Sequence, residues 1–452
     1  MLKWLYPGMR VKRWLLLALA GLLVISLGVD LLMEGRLLGD FARPIHRLEW
    51  WLLGNEYQHI AGLIAVAAGL LVMTRGLLKV FHSIAGVLAP DQEGRMAEII
   101  YARRSLGRGP KIVVMGGGTG LSVLLRGLKE YTSNLTAIVT VADDGGSSGR
   151  LRGDLGILPP GDIRNCLVAL ADKEPLMEEL LQYRFTTGEL AGHNIGNLLL
   201  AALTEITGGI DQAVRGLSKV LAIRGHVLPA TLTDITLCAE LADGTVVHGE
   251  SNISRGAGMI KRVFLKPARC LPLAEALAAI RSADAVVLGP GSLYTSIIPN
   301  LLVKGIPEAL ARTPAIKIYV CNVMTQPGET GGYTASSHLR TIQNHAGKFI
   351  DYAVVNTGQV PYRLRVRYRQ EGAEPVAADL EEIEKLGITA VGEDLAQQTE
   401  VVRHHPDKLA QTVVRLIFSA KGQYEKVRYI NDQQNKKDQE FTSVKIEWPN
   451  ID

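Results

Sequence analysis

Apolar and polar positions fall into blocks of different period along this chain. Near the front, two runs carry no charge: Trp14–Val29, WLLLALAGLLVISLGV, and Ile60–Met73, IAGLIAVAAGLLVM. Crossing a bilayer takes about 20 apolar residues. Each run reaches that length by extension, the first past Asp30 to Met33 and the second to Phe81 if Arg75 and Lys79 snorkel. The pattern predicts an N-terminal membrane anchor over 1–100, with transmembrane helices at about 14–33 and 60–81.

From Lys111 the block length changes. KIVVM (111–115), TAIVTVA (136–142), AVVL (285–288), AIKIYV (315–320) and DYAVVN (351–356) are short apolar runs rich in β-branched residues, the signature of buried parallel strands. Stretches at helical period lie between several of them. Successive βα units predict an α/β fold, a Rossmann-like doubly wound parallel sheet with helices on both faces. This domain is expected over 101–425, with a helical and hairpin insertion at about 167–260. The hairpin is signalled by Asp243-Gly244 within TLCAELADGTVVHGES. After Pro361, RLRVRYRQEGAEPV reads as an exposed strand and turn, and PDKLAQTVVRLIF as a helix starting at a proline. The end, 426–452, reads as a polar disordered tail.

Charge sets the orientation of the anchor. Lys3, Arg10, Lys12 and Arg13 precede the first run, and Arg75, Lys79, Arg95, Arg103, Arg104 and Arg108 follow or end the second. Between the runs, Arg36, Arg43 and Arg47 are offset by Glu34, Asp40, Glu49 and Glu56. The positive-inside rule then predicts a two-pass protein of the cell membrane with both ends, and the main domain, in the cytoplasm. Across all 452 residues the formal charge is only +4, so nucleic acid is not an expected partner. The four cysteines are widely spaced, with no metal-ligand or disulfide pattern, and read as core residues of a reducing compartment.

Chemistry concentrates at strand ends, where open α/β sheets bind ligands. After KIVVM comes GGGTG, so Gly117, Gly118, Thr119 and Gly120 form a strand–glycine loop–helix unit able to present backbone N–H groups to phosphate. It is neither GxGxxG nor a Walker loop, which argues against a nicotinamide-dependent dehydrogenase. After TAIVTVA comes DDGGSSGRLR: Asp143 or Asp144 is placed to bind a ribose or hold Mg²⁺ against a diphosphate, and Ser147 lies in a loop able to wrap a polar ligand. Asp162 either caps the helix beginning near Ile163 or binds ligand there, with Arg164 and Asn165 facing whatever sits at its start. His193, Asn194 and Asn197 head another helix, where His193 is either an acid/base group or a neighbour of the cap. Asn322, Thr325 and Gln326 form the polar end of a later strand.

GGGTGLSVLLRGLK, TAIVTVADDGGSSGRLR, LPPGDIRNCLVALAD, LGPGSLYTSIIPNLLV and NVMTQPGET, in this order, resemble the YvcK family of gluconeogenesis factors, in the superfamily of CofD, the 2-phospho-L-lactate transferase. The resemblance covers about Lys111 to Ile417. It implies a CofD-like fold, binding of a UDP-sugar, notably UDP-N-acetylglucosamine, and a role in cell shape and wall synthesis during gluconeogenic growth. It also implies cell-wall synthesis proteins as partners, and it leaves homo-oligomerisation open. By the resemblance, Gly117, Gly118, Thr119 and Gly120 hold phosphates, and Asp143 and Asp144 meet a metal or sugar. Asn194 and Asn197 line the cleft, Ser292 and Tyr294 sit in a second loop, and Tyr368 and Arg403 contact ligand from the C-terminal side. Ser337 stands where the family's pattern implies an acid, and the membrane hairpin is an addition to the shared core. Two function classes follow: a UDP-sugar-binding regulator without turnover, or a Mg²⁺-dependent transferase acting on a nucleotide diphosphate donor. Mg²⁺ is the one cofactor these motifs bring into view.

Overall fold

The computed structural model describes residues 11–33, 43–88, 106–172, 175–256, 258–398 and 401–423. The expected tail over 426–452 lies outside the described residues, as do Lys3, Arg10, Arg36, Arg95, Arg103 and Arg104. The chain divides into two compact units, Met1–Arg104 and Ser105–Asp452.

The first unit is a pair of helices, Val11–Leu32 and Arg43–Leu88. Both contain stretches long and apolar enough to cross a membrane, Val11–Leu32 and His59–Ser83. The second helix starts well before the expected position, at Arg43. The helices run antiparallel on a glycine seam. Gly21 and Gly28 on one, and Gly62, Gly69 and Gly76 on the other, recur every seven residues. A Cβ on Gly21 would lie 2.5 Å from Met73 N, and one on Gly69 2.7 Å from Ile25 Cγ1. The backbones therefore touch where side chains would normally separate them. The large apolar residues point the other way: Leu16, Leu19, Leu23, Leu63, Ile64 and Leu78 are all more than half exposed. Lys79 Nζ sits 4.6 Å from the centre of the Trp14 ring, a cation–π contact between the two helices.

The second unit is built on a seven-stranded sheet. Its strands are β1 (Ile112–Gly116), β2 (Leu135–Val139) and β3 (His226–Pro229), then β7 (Ala285–Leu288), β8 (Ile316–Val320), β9 (Tyr352–Asn356) and β10 (Thr389–Glu393). Between β3 and β7 a separate antiparallel sheet is made by β4 (Thr236–Leu241), β5 (Val246–His248) and β6 (Ile260–Lys266), with β4 in the middle. A short antiparallel pair, β11 (Ala396–Gln398) and β12 (Val402–His404), follows β10. The main sheet runs β10-β9-β8-β7-β1-β2-β3, and every neighbouring pair is parallel. The chain builds outward from β1 through β2 to β3, then returns to the other side of β1 and builds outward again. The order reverses between β1 and β7, the topological switch point of a doubly wound sheet.

β1 and β7 are fully buried, because helices cover both faces. The helix Gly118–Leu128 turns Leu121, Leu124, Leu125 and Leu128 into the core, all at 0% exposure. This spacing is one face of a 3.6-residue period. The final helix, Pro406–Ala420, packs on it so closely that a Cβ on Gly127 would be 2.7 Å from Ala410 Cβ. All four cysteines are free and buried.

Two expectations are corrected. Tyr362–Gln370, read as an exposed strand, is a helix. Its arginines at every second residue imitate strand alternation, but Arg, Leu and Gln are good helix formers and the helix starts directly after Pro361. Asp162 does not cap its helix: Gly161–Leu170 begins after Pro160, so Asp162 lies within the first turn.

Candidate ligand-binding site

A cleft of about 570 Å³ opens at the carboxyl ends of β1, β7 and β8, across the switch point. That volume lies in the range that holds a drug-sized ligand. Its floor is the loop after β1. Gly118 has φ of +66°, the left-handed region that glycine enters without strain. Gly120, in the first turn of the helix, lies so close to the next loop that a Cβ on it would be 2.6 Å from the Pro290 carbonyl oxygen. The loop after β7 forms the second wall. Gly291 N–H donates to Asn322 Oδ1 at 3.2 Å, tying this loop to the end of β8. Ser292 Oγ caps the following turn by accepting from Thr295 N–H at 3.2 Å. The far side is made by Tyr368, Arg403 and His404. The Tyr368 hydroxyl accepts from Val402 N–H at 3.1 Å, which fixes the ring against β12.

One side of this cleft is rich in acids. Glu250 and Glu329 line it, and Asp162 lies behind the glycine loop, accepting from Gly118 N–H. Burial pushes the Glu250 carboxyl up to about 9, with Asp143, Asp162, Glu329 and Asp144 adding to the shift. Burial, then the charge of Asp143, pushes Asp162 up to about 6. Burial raises Asp143 against the pull of Gly145 N–H and the Ser148 hydroxyl. Burial likewise raises Glu329, although hydroxyls from Ser292 and Ser254 hold both its oxygens.

The Asp162 shift has a stability consequence. Its folded value lies above its ordinary one, so the native state holds this proton more readily than the unfolded chain. The ionised group therefore opposes folding above about pH 6, and the penalty fades as pH falls toward 4. Asp162→Asn should raise stability at pH 7 by about 1–2 kcal/mol, with little gain near pH 4. Thermal unfolding at the two pH values checks this; an equal effect at both would contradict it.

The structure brings half of the expected site residues together. Gly117, Gly118, Thr119, Gly120, Ser292, Asn322, Tyr368 and Arg403 all line the cleft. Asp143, Asp144 and Asp162 stand just behind its glycine-loop side, by their mutual electrostatic influence on Glu250. Others make contacts within the scaffold. Asn194 caps the helix Ile195–Thr207, its Oδ1 accepting from Asn197 N–H at 3.3 Å. Asn197 Oδ1 and Asn165 Oδ1 both accept from the Arg164 guanidinium. Ser147 Oγ pairs with His193 Nδ1 at 3.2 Å, so that histidine neighbours the cap of Asn194. Tyr294 is 1% exposed, with its hydroxyl 2.8 Å from that of Tyr333. The turn Leu293–Ile297 winds it into the core rather than the cleft. Sequence reasoning missed Glu250, Glu329 and His404 as cleft residues. Glu329 stands inside the quoted TQPGET, but no local pattern marks an acid as buried; three separate segments converge only in the fold.

Among the described residues, no three His, Cys, Asp or Glu side chains come together to hold a metal ion. Asp143 Oδ1 accepts from Gly145 N–H at 2.8 Å and Asp144 Oδ1 from Ser251 N–H at 2.9 Å, so each has one oxygen spent on the backbone. These residues fit Mg²⁺ in one form only, held by one or two carboxylates and completed by ligand phosphates.

The family profile described as 2-phospho-L-lactate transferase CofD matches residues 112–396. The chain belongs to the CofD family. Within that family it is similar to the gluconeogenesis factors. It is 47% identical to the Putative gluconeogenesis factor of a Nostoc species, over 91% of this chain and 92% of the other. It is 52% identical to the Gluconeogenesis factor of Bacillus subtilis, over 69% of this chain and 99% of the other. A solved structure of a UPF0052 family member from Bacillus halodurans matches with 52% identity and a TM-score of 0.66, over 67% of this chain and 99% of that one. The Bacillus proteins are thus matched almost entirely by two-thirds of this chain. The Nostoc match leaves only 9% of this chain uncovered, so it extends into the helical unit Met1–Arg104.

Proposed function

We propose that this chain is a membrane-tethered cytoplasmic factor that binds a UDP-sugar, UDP-N-acetylglucosamine foremost, and so supports cell shape and wall synthesis during gluconeogenic growth. The observation that carries the reading is the cleft at the switch point. Two glycine loops face each other there, at the start of an eleven-residue helix, opposite Arg403 and Tyr368. A helix start and open backbone suit a diphosphate, and a guanidinium and an aromatic ring suit phosphate and base. The physiological part of the proposal rests on the likeness to the gluconeogenesis factors. Large apolar side chains outside and glycines inside support a lipid surrounding for the helix pair, because lipid removes the advantage of burying leucine and leaves close backbone packing to hold helices together.

Calorimetry of the full chain in detergent, with UDP-N-acetylglucosamine and with or without Mg²⁺, tests the proposal. Binding on the order of micromolar is expected, at least about tenfold weaker in Arg403→Ala, with the ligand recovered intact. Absence of binding would remove the reading. Consumption of the ligand only with Mg²⁺ present would instead favour a transferase acting on a nucleotide diphosphate donor. The observation on that side is Asp143, a half-buried carboxylate close enough to the glycine loop to raise Asp162. Bound Mg²⁺ would there supply charge stabilisation to a phosphate; Asp143 and Asp144 are the residues that would help hold it.

A further inference from the structure

We propose that Glu250 determines which ligand the cleft accepts, by donating a hydrogen bond from its carboxyl to an uncharged carbonyl or hydroxyl oxygen of the bound molecule, while phosphate lies at the glycine loop and Arg403. The inference rests on the nucleotide-sugar reading above and says where in the cleft the sugar lies.

The geometry isolates this side chain. Three acids line the cleft, Glu250, Glu329 and Glu371, and they differ in what they touch; Glu371 is exposed and pairs with Arg367. Glu329 is used up, with one oxygen on the Ser254 hydroxyl at 2.9 Å and the other on the Ser292 hydroxyl. Glu250 Oε2 is buried and has no hydrogen-bond partner. An unpartnered buried polar atom costs free energy that a well-made scaffold avoids, unless something else completes it. The backbone on either side is firmly placed. Gly249 N–H donates to the Leu237 carbonyl at 2.8 Å, and Ser251 N–H to Asp144 Oδ1 at 2.9 Å. The carboxyl is therefore held in the wall without being consumed by it.

Its surroundings fix its charge state. Asp143, Asp144, Asp162 and Glu329 face it from three other segments of the chain, and with burial they hold its proton on until about pH 9. A neutral carboxyl has one O–H to give, whereas an ionised one can only accept. Among the described residues no cation lines the cleft beside Glu250, whereas Arg403 offers one elsewhere in it, which leaves Glu250 to the uncharged part of a ligand. An N-acetylated hexose offers carbonyl and hydroxyl oxygens of the kind required.

The full chain in lipid nanodiscs would be titrated with UDP-N-acetylglucosamine and, separately, with UDP, which lacks the sugar. Glu250→Ala should bind the UDP-sugar about tenfold more weakly at pH 7 and bind UDP within about twofold of the original chain. Glu250→Gln, neutral and still a donor, should keep most of the UDP-sugar affinity. It should also lose the weakening that the original chain shows between about pH 8 and 10, as the carboxyl ionises. If Glu250→Ala, melting as the original does, binds both probes unchanged or loses both equally, the inference is wrong although the site stands. If the original chain binds neither probe, the nucleotide-sugar reading fails and the inference falls with it.

Discussion

Gly120→Ala should destabilise the CofD domain by about 2–4 kcal/mol and abolish ligand binding in the cleft. The added methyl would sit 2.6 Å from the Pro290 carbonyl oxygen and 2.9 Å from its carbon. These are backbone atoms of the loop after β7, so no side chain can rotate out of the way. Relief requires that the two loops part. They are joined to adjacent strands: Gly289 N–H donates to the Met115 carbonyl at 2.8 Å, and Asn300 Nδ2 to the Gly116 carbonyl at 3.1 Å. Separation therefore strains the sheet at its switch point and widens the cleft floor at once. Gly153 supplies a control. It lies within the helix Gly146–Leu155, with open space where its Cβ would be. Gly153→Ala should be neutral or stabilise by up to about 1 kcal/mol through helix propensity. Thermal unfolding of both variants, with ligand titration, checks the pair. Equal melting of Gly120→Ala and the original would mean that the two loops do not touch as described.

The same contact explains which parts of this molecule were legible in its sequence. β1, β7 and β9 stand out because strands covered on both faces become unbroken apolar runs ended by glycine or polar residues, and β8 is interrupted only by Lys317. β3 (HVLP) and β10 (TAVGE) lie at the two edges of the sheet, where one side lacks a neighbour and the apolar signal is diluted. Neither stands out as a strand in the sequence. The observed β2 stops at Val139, short of the expected Ala142, because its neighbours β1 and β3 end at Gly116 and Pro229; Thr140 N–H makes a last ladder bond to the Gly116 carbonyl at 3.0 Å. In the site, the glycine loops were readable because a strand, a run of glycines and a helix are contiguous. The acids were not. Glu250 follows the hairpin and Glu329 follows β8, and only the fold sets them beside residues near 120. Asn194 and Asn197 were read toward a ligand because a polar helix start serves equally for capping and for binding. Here Asn194 makes the cap and Asn197 accepts from Arg164.

Removing residues 1–104 should transfer the protein from the membrane to the soluble fraction while leaving UDP-sugar binding in the cleft unchanged. The Bacillus halodurans structure gives reason to expect an intact domain, since two-thirds of this chain matches 99% of that one. The helix pair gives reason to expect the shift. In water its exposed leucines and isoleucines would be a large unpaired apolar surface. In lipid they meet acyl chains, and the glycine seam does the work of holding the two helices in register. A second variant separates membrane affinity from hairpin packing. Gly69→Leu would place its Cβ 2.7 Å from Ile25 Cγ1 and 2.8 Å from the Gly21 carbonyl, so the helices must part. Each helix remains apolar enough to insert, so this variant should stay in the membrane fraction. Cysteines replacing Trp14 and Lys79, whose side chains meet between the helices, should be joined readily by a short bis-maleimide linker in the original background and poorly with Gly69→Leu. Membrane flotation after a high-salt wash, followed by calorimetry on the released domain, reads both outcomes. A full-length chain that stays soluble and monomeric without detergent would overturn the tether, and the helix pair would then need a protein surface to cover its leucines.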